Sequence, residues 1–434
     1  MDISVGFWLL CLFLLLIAFS IPIAVAIAMS SLVIMLSILP SSVAFMTAGQ
    51  KIVTGIDSFS LLAIPFFILA GNIMNRGGIA TRLVQFAKLL VGRFPGALSH
   101  VNVLANMLFG SVSGSAVAAA AAVGKTLEPE LEKEGYDKSY STAVNVASCP
   151  AGLLIPPSNS LIVFSVVSGG TSIAALFIAG YVPGILMGLS CMVVAYIIAK
   201  RKGYKSAPVQ HTLREKLLIT WRAVPSMGLV LIVIGGIIGG IFTATEGACI
   251  AVLYSFILSL CYRTLGVKEL RMICVETAEI TGIMLFLIGA STIMSWAMAF
   301  TGLPSMISQW MLSISDNPII IFILMNIILL IVGMFMDLTP AVLIFTPIFM
   351  PIATQLGMHP IHFAMMMIFN LCIGIATPPV GTALFVGCSV SGAKIESVIK
   401  SILPFCAVLI VTLLLITFIP EISLALPRAF GLIK

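Results

Sequence analysis

The chain has 434 residues, 60% hydrophobic and 9% charged, with a mean hydropathy of +1.19 and a formal net charge of +6. That composition excludes a soluble domain and reads as a polytopic membrane protein. The positive charge is not a nucleic-acid signature, because the lysines and arginines cluster between apolar runs as cytoplasmic loops do.

In chain order, residues 1–38 read as a helical hairpin turning at Ser20-Ile21-Pro22. Met1-Asp2 lacks the basic leader of a cleavable signal peptide, so the first apolar stretch reads as a membrane helix. Arg76, Arg82, Lys88 and Arg93 mark a cytoplasmic stretch. Val101–Phe109 then leads into Gly110-Ser111-Val112-Ser113-Gly114-Ser115 and an alanine run to Gly124. The stretch Lys125–Lys138 reads as a charged cytoplasmic loop. A segment with both ends on one side is re-entrant. The next apolar run is broken at Pro156-Pro157, inside Gly152-Leu-Leu-Ile-Pro-Pro-Ser158-Asn159-Ser160. A Pro-Pro pair removes two backbone donors and clashes with the preceding turn, so no continuous helix passes through it.

The densest basic cluster, Lys200 to Arg222, is assigned to the cytoplasm. Arg222 and Arg263 bracket two crossings joined by an outer turn at Phe242–Glu246. Ile319–Met336 leads to Asp337-Leu338-Thr339-Pro340, and the chain returns outside near Gly357, giving a second re-entrant segment. The stretches 301–317 and 354–362 read as outer loops without Lys or Arg. A second broken helix follows at Gly374-Ile-Ala-Thr377-Pro378-Pro379-Val380-Gly381-Thr382. Of the 22 Lys and Arg, this tracing leaves only Lys51, Arg428 and Lys434 outside, with both termini extracytoplasmic.

The two broken segments share the pattern G-x-x-x-P-P-x-x-[S/T] and lie 222 positions apart, from Gly152 to Gly374. Gly135 and Gly357 repeat that offset, as do Ser148 and Asn370. With opposite predicted orientations, residues 1–199 and 223–434 read as two inverted repeats joined by a cytoplasmic linker, 200–222. Broken helices at matching positions in two repeats are the sequence mark of a transport site. The expected fold is all-α, each repeat carrying a re-entrant hairpin and a Pro-Pro-broken helix that meet near the midplane.

Such a centre offers hydroxyls (Ser111, Ser113, Ser115, Ser158, Ser160, Thr339, Thr377, Thr382), the Asn159 amide, the Asp337 carboxylate and freed backbone carbonyls. These hard oxygen donors suit sodium rather than a transition metal. Half-helix N-termini suit an anionic substrate. The combination predicts sodium-coupled transport of an organic anion. Asp337 could instead only cap the helix that follows it. Glu246 is as compatible with interface solvation as with a role. His100, His211, His359 and His362 fall in or beside loops and are expected to be solvated. Nine scattered cysteines without a C-x-x-C pair predict neither disulfides nor a metal site.

Two enzyme-like motifs fail on context. Gly124-Lys125-Thr126 resembles the end of a phosphate-binding loop, but Ala119 stands where its first glycine is needed and no strand precedes it, so ATP is not expected. Ser113 lies in G-S-V-S-G without an intramembrane histidine, against a serine protease. A non-enzyme is expected. A channel or purely structural subunit is disfavoured by paired breaks with hydroxyl-rich tips.

Six stretches carry a family resemblance: Ala63–Gly71, Gly110–Ser115, Leu154–Ser158, Gly240–Glu246, Gly333–Asp337 and Thr377–Gly381. Along essentially its whole length the chain resembles the large membrane subunit of tripartite ATP-independent periplasmic (TRAP) transporters. The resemblance implies a bacterial inner-membrane permease working as a sodium-driven elevator. Scaffold helices would occupy 1–58 and 223–280, and transport elements 59–199 and 281–434. It implies two partners, a small four-helix membrane subunit and a soluble periplasmic substrate-binding protein, beside the surrounding lipids. It carries sodium sites to the hairpin tips (Ser113, Gly114, Ser115; Asp337, Thr339) and to the breaks (Pro156, Ser158, Asn159; Gly374, Thr377, Pro378, Gly381). Substrate contacts are expected from Ser111, Asn159, Ser160 and Thr382. The polar Asn159-Ser160 pair leans toward a sugar acid such as a sialic acid over a C4-dicarboxylate. The alternative is a self-sufficient sodium–dicarboxylate elevator needing no binding protein.

Overall fold

The computed structural model describes residues 3–92, 94–204, 212–315, 317–378 and 380–433. Of the residues singled out above, Met1, Asp2, Arg93, His211, Pro379 and Lys434 lie outside them.

The first hairpin is α1 (Ile3–Ala18) and α2 (Ile23–Ile38), with Ser20 at φ 59° in the turn. Next come α3 (Ser41–Ile56), a 3-10 turn Phe59–Leu62, α4 (Ala63–Arg76) and α5 (Ile79–Val91). The first helical hairpin is α6 (Ala97–Ser113) and α7 (Ala116–Lys133). The first broken helix comprises α8 (Lys138–Ser148), α9 (Ala151–Leu154) and α10 (Asn159–Val167), followed by the long α11 (Ile173–Lys202). The second half runs α12 (Leu213–Ile238), α13 (Ala244–Cys261), α14 (Val267–Thr301) and α15 (Leu303–Ile314). Its hairpin is α16 (Pro318–Phe335) and α17 (Leu338–Gln355), and its broken helix is α18 (Pro360–Ala376) and α19 (Thr382–Ser391). Helices α20 (Ile395–Phe418) and α21 (Glu421–Ala429) close the chain.

Among the described residues there is no strand, and eight helices are long and apolar enough to cross a membrane. The α8–α10 series adds a ninth candidate if its bent halves, 50° apart, count as one span. Apolar side chains that face outward, such as Leu213, Leu217, Trp221 and Leu231 on α12, fit hydrocarbon rather than water. The protein is a multi-pass, all-α membrane protein.

Element boundaries recur at one offset. Ser113 and Phe335, Ala116 and Leu338, Lys133 and Gln355, Lys138 and Pro360, Leu154 and Ala376, and Ile173 and Ile395 are each 222 positions apart, the spacing that also separates Ser190 from Thr412.

Local chemistry sets the starts and stops. Thr212 with Glu215, and Thr243 with Glu246, form reciprocal capping boxes that open α12 and α13. Glu246 thus has a structural role the sequence left undecided. Gly203, at φ +72°, ends α11.

Four expectations change. Lys125–Lys133 is not loop but the last two turns of α7, because Leu127, Glu128, Glu130, Leu131 and Glu132 are good helix formers. The stretch 301–317 contains the helix α15, opened by Pro304 in its first turn. His100 and His362 are buried rather than solvated, because the first turns of α6 and α18 pack inward; His362 Nε2 meets the Ile416 carbonyl at 2.7 Å. The stretch 200–222 is helical at both ends, since α11 runs to Lys202 and α12 starts at Leu213.

Two packing groups position the centre. Helix α4 lies on α13 and α14, and α2 and α3 also pack on α14. An Arg76–Glu276 ion pair and an Asn72–Thr277 hydrogen bond at 3.0 Å tie α4 to α14. The hairpins and broken helices pack among themselves: α6 on α7 and α9, α7 on α19, α16 on α18, α10 on α17.

Candidate transport site

Each hairpin arm crosses its broken helix at a pair of glycines. A Cβ on Gly110 would lie 2.6 Å from the Gly152 Cα, and one on Gly374 would lie 2.5 Å from the Gly333 Cα. Only hydrogen at both positions lets the backbones approach this closely. These crossings set each tip against its own break.

The first tip turns at Gly114 (φ +62°), where the nearest groups to a notional Cβ would be the Asn159 amide at 3.4 Å and the Pro157 carbonyl at 3.8 Å. Ser115 caps α7, accepting from the Ala118 N–H at 3.2 Å. The second tip turns at Asp337. Although Asp337 is the residue before α17, its side chain makes no capping bond. It faces the second break instead, where the Thr382 hydroxyl donates to Asp337 Oδ1 at 3.5 Å. The contact with Thr382 favours a role at the break over capping alone.

Between the tips lies a cavity of about 370 Å³. Ser113, Gly114 and Ser115 line it from the first tip, Asp337, Leu338 and Thr339 from the second, and Asn159 and Ser160 from the first break. Its donor set is hydroxyl, amide and carboxylate oxygen. Asn159 Oδ1 is buried without a hydrogen-bond partner. An orphaned carbonyl oxygen beside a cavity is a costly arrangement that a cation or a donor group would relieve.

Helix termini add fixed charge. α7, α10 and α17 begin with Ala116, Asn159 and Leu338 at the cavity wall, and α19 begins at Thr382, bonded to Asp337. Their first-turn N–H groups carry partial positive charge. α6 ends at Ser113 on the same wall, and near the end of α18 the Ile375 and Thr377 carbonyls crowd Gly381, at 3.0 and 2.8 Å from a notional Cβ. The centre can face an anion with one set of ends and a cation with the other.

Not every expected residue reaches the cavity wall. Ser111 bonds back to the Leu108 carbonyl at 2.9 Å, and Thr377 to the Ile373 carbonyl at 2.6 Å. The Ser158 hydroxyl donates to the Leu153 carbonyl. Pro156, Pro378, Gly381 and Thr382 belong to the breaks but do not line the cavity, while Gly374 is spent on its crossing with Gly333. Conversely, Asn72 and Asn75 of α4, with Ile280 and Met284 of α14, line the cavity and were not anticipated. Two amides in an otherwise apolar span, Phe59–Arg76, were the available signal.

Comparison with known proteins fits this architecture. Residues 10–422 match the family model described as the tripartite ATP-independent periplasmic transporter, DctM component. The chain is 53% identical over 419 residues to the uncharacterized protein YgiK of Salmonella typhimurium, covering 96% of each. It is 38% identical to the sialic acid TRAP transporter large permease protein SiaM of Vibrio cholerae, covering 91% of this chain and 92% of that one. It is also 38% identical to the C4-dicarboxylate TRAP transporter large permease protein DctM of Pseudomonas aeruginosa, covering 87% and 88%. The crystal structure of the Alcanivorax borkumensis YdaH transporter, described as having an unusual topology, shares the fold at TM-score 0.59 and 12% identity, over 86% of this chain and 88% of that one. The chain belongs to the DctM family, the large permease component of tripartite ATP-independent periplasmic transporters.

Proposed function

We propose that this chain is the permease for sodium-coupled uptake of an organic acid anion across the bacterial inner membrane. The observation that carries the reading is the cavity where both hairpin tips meet the first break, one carboxylate and one orphaned amide oxygen on its wall. Sodium is favoured by donors that are all oxygen, with Asp337 the single charged one. Asp337 and the tip hydroxyls would hold the cation, and the N-termini of α7, α10 and α17 would face the anion. The family match supports delivery by a soluble periplasmic binding protein and assembly with a small membrane subunit, and weighs against the self-sufficient alternative. ATP has no part in this reading.

The substrate is an organic acid, and its class is left open between a sugar acid and a C4-dicarboxylate. Relatives named for sialic acid and for C4-dicarboxylate transport are equally similar, at 38% identity each, so the polar Asn159-Ser160 pair does not decide.

The halves are proposed to be inverted repeats, as the recurring 222-residue offset supports. The moving body would comprise the hairpins, broken helices, α11 and α20, sliding against a scaffold of α1–α4 and α12–α14. We would group α4 with that scaffold, beyond the expected boundary at residue 58, a choice its packing on α13 and α14 supports. Both termini would then be periplasmic.

The test is uptake into proteoliposomes with a panel of organic acids, with and without an inward sodium gradient and candidate binding proteins. Accumulation that needs both supports the reading. Accumulation without any binding protein would favour the self-sufficient alternative, and indifference to sodium would remove the coupling.

A further inference from the structure

Away from the transport cavity, the first turn of α5 meets α12 and the end of α13 around a second cavity of about 480 Å³. Its wall is Gly78, Thr81, Arg82, Gln85, Arg222 and Tyr262. Two arginines therefore face one space whose lining includes no carboxylate. Neither takes part in an ion pair with another described residue, in contrast to Arg76, Lys88, Lys202 and Arg428.

Arg82 lies with its Cζ 3.2 Å above the Tyr262 ring, a cation–π contact that holds the guanidinium in place and leaves its edge donors unused. Arg82 Nη1 and Tyr262 Oη are both buried without a hydrogen-bond partner. An orphaned cationic donor beside an orphaned hydroxyl is a costly pair of groups unless an anion comes to them. The 13-residue α5 opens on the same cavity at Gly78, with no side chain capping its first N–H groups. Two guanidinium forks, a phenol and an open helix N-terminus match a tetrahedral oxyanion better than a single planar carboxylate.

The flank of the cavity suggests where that oxyanion comes from. Trp221, next to Arg222, is 75% exposed, and Leu217 and Leu218 one turn earlier also face outward. An aromatic ring and apolar side chains beside paired arginines make the usual border between hydrocarbon and headgroups.

We infer that Arg82 and Arg222 form a binding site for a phosphate-class oxyanion, with an anionic phospholipid headgroup as the source its lipid-facing flank favours. The site joins α5, which leads directly into the first hairpin, to α12 and α13. Occupancy would fasten those elements together.

The test uses the full-length chain, purified and delipidated in a nonionic detergent. It is titrated separately with dioleoylphosphatidylglycerol, dioleoylphosphatidylcholine and inorganic phosphate, reading the thermal unfolding midpoint. Phosphatidylglycerol should raise the midpoint saturably and phosphatidylcholine should not. Arg82→Gln and Arg222→Gln should each weaken that response roughly tenfold or more, the worth of a charge-assisted bond. Arg82→Lys should keep part of it. Arg222 is exposed, so its substitution does not endanger the fold. Lys268→Gln with Arg271→Gln, at the start of α14 and outside this cavity's lining, should leave the response unchanged and so control for diffuse attraction to anionic lipid. Saturable protection by inorganic phosphate that is lost in the same arginine variants would keep the site and assign it to a soluble oxyanion. An undiminished phosphatidylglycerol response in both arginine variants, or an equal response to phosphatidylcholine, would overturn it.

Discussion

Ser190 and Thr412 are 222 positions apart in sequence, and their hydroxyl oxygens lie 2.7 Å from each other. The same offset relates Pro150 to Cys372, whose thiol meets the Pro150 carbonyl at 3.7 Å. A residue touching its own counterpart sits on the operation relating two repeats, so an axis of the proposed inverted repeat would pass through both contacts. α11 and α20 cross there, and both belong to the proposed moving body. Hydroxyls this close place the two Cβ atoms within reach of a disulfide. In a cysteine-depleted background, Ser190→Cys with Thr412→Cys should cross-link on oxidation and keep uptake. Loss of uptake on oxidation, restored by reductant, would mean that α11 and α20 move against each other.

The glycine crossings give a paired stability prediction. Gly152→Ala forces a methyl into Gly110, and Gly374→Ala forces one into Gly333. The obstacle is backbone in both cases and cannot rotate away, so each variant should lose about 1–3 kcal/mol. Thermal unfolding of the two proteins checks this. A neutral result in either half would show that its hairpin arm can shift without cost.

The first break can be tested by mending it. Pro156→Ala with Pro157→Ala restores two backbone donors and favours a continuous helix from α9 into α10. Continuity would consume the Pro157 carbonyl facing Gly114 and erase the α10 N-terminus on the cavity wall. The expected protein is as stable as the parent, or more so, and transports poorly. Normal uptake in a stable variant would reduce the break to a kink.

Topology rests on charge placement and can be read directly. Single cysteines at Ser313, on α15, and at Glu134, after α7, are both exposed. In intact cells an impermeant thiol reagent should label the first and spare the second. Equal labelling of both would end the inverted tracing.

The tips and breaks were legible because Gly, Ser and Pro interrupt apolar runs where a lone helix has no use for them. Asp337 was legible because it is the one carboxylate in the apolar stretch from Ile319 to Gln355, where a charge is expensive in hydrocarbon. The contribution of α4 and α14 was not. Asn72 reaches the cavity only through a packing arrangement that brings it to Thr277, and no local pattern encodes a pairing over 205 positions. Charge does not mark a loop at the end of α7, because Glu128 to Lys133 are at once charged and helix-forming. His100 and His362 were misplaced for a related reason: proximity to a helix end says nothing about which way the first turn faces.

The central claim is that the tip cavity holds the coupling sodium through Asp337. The most direct measurement is the sodium dependence of substrate uptake in Asp337→Asn proteoliposomes beside the parent, with matched protein yield and monodispersity. Losing one charged ligand should weaken apparent sodium affinity about 10- to 150-fold while the protein stays folded. An unchanged sodium dependence in a fully active Asp337→Asn protein would contradict the account.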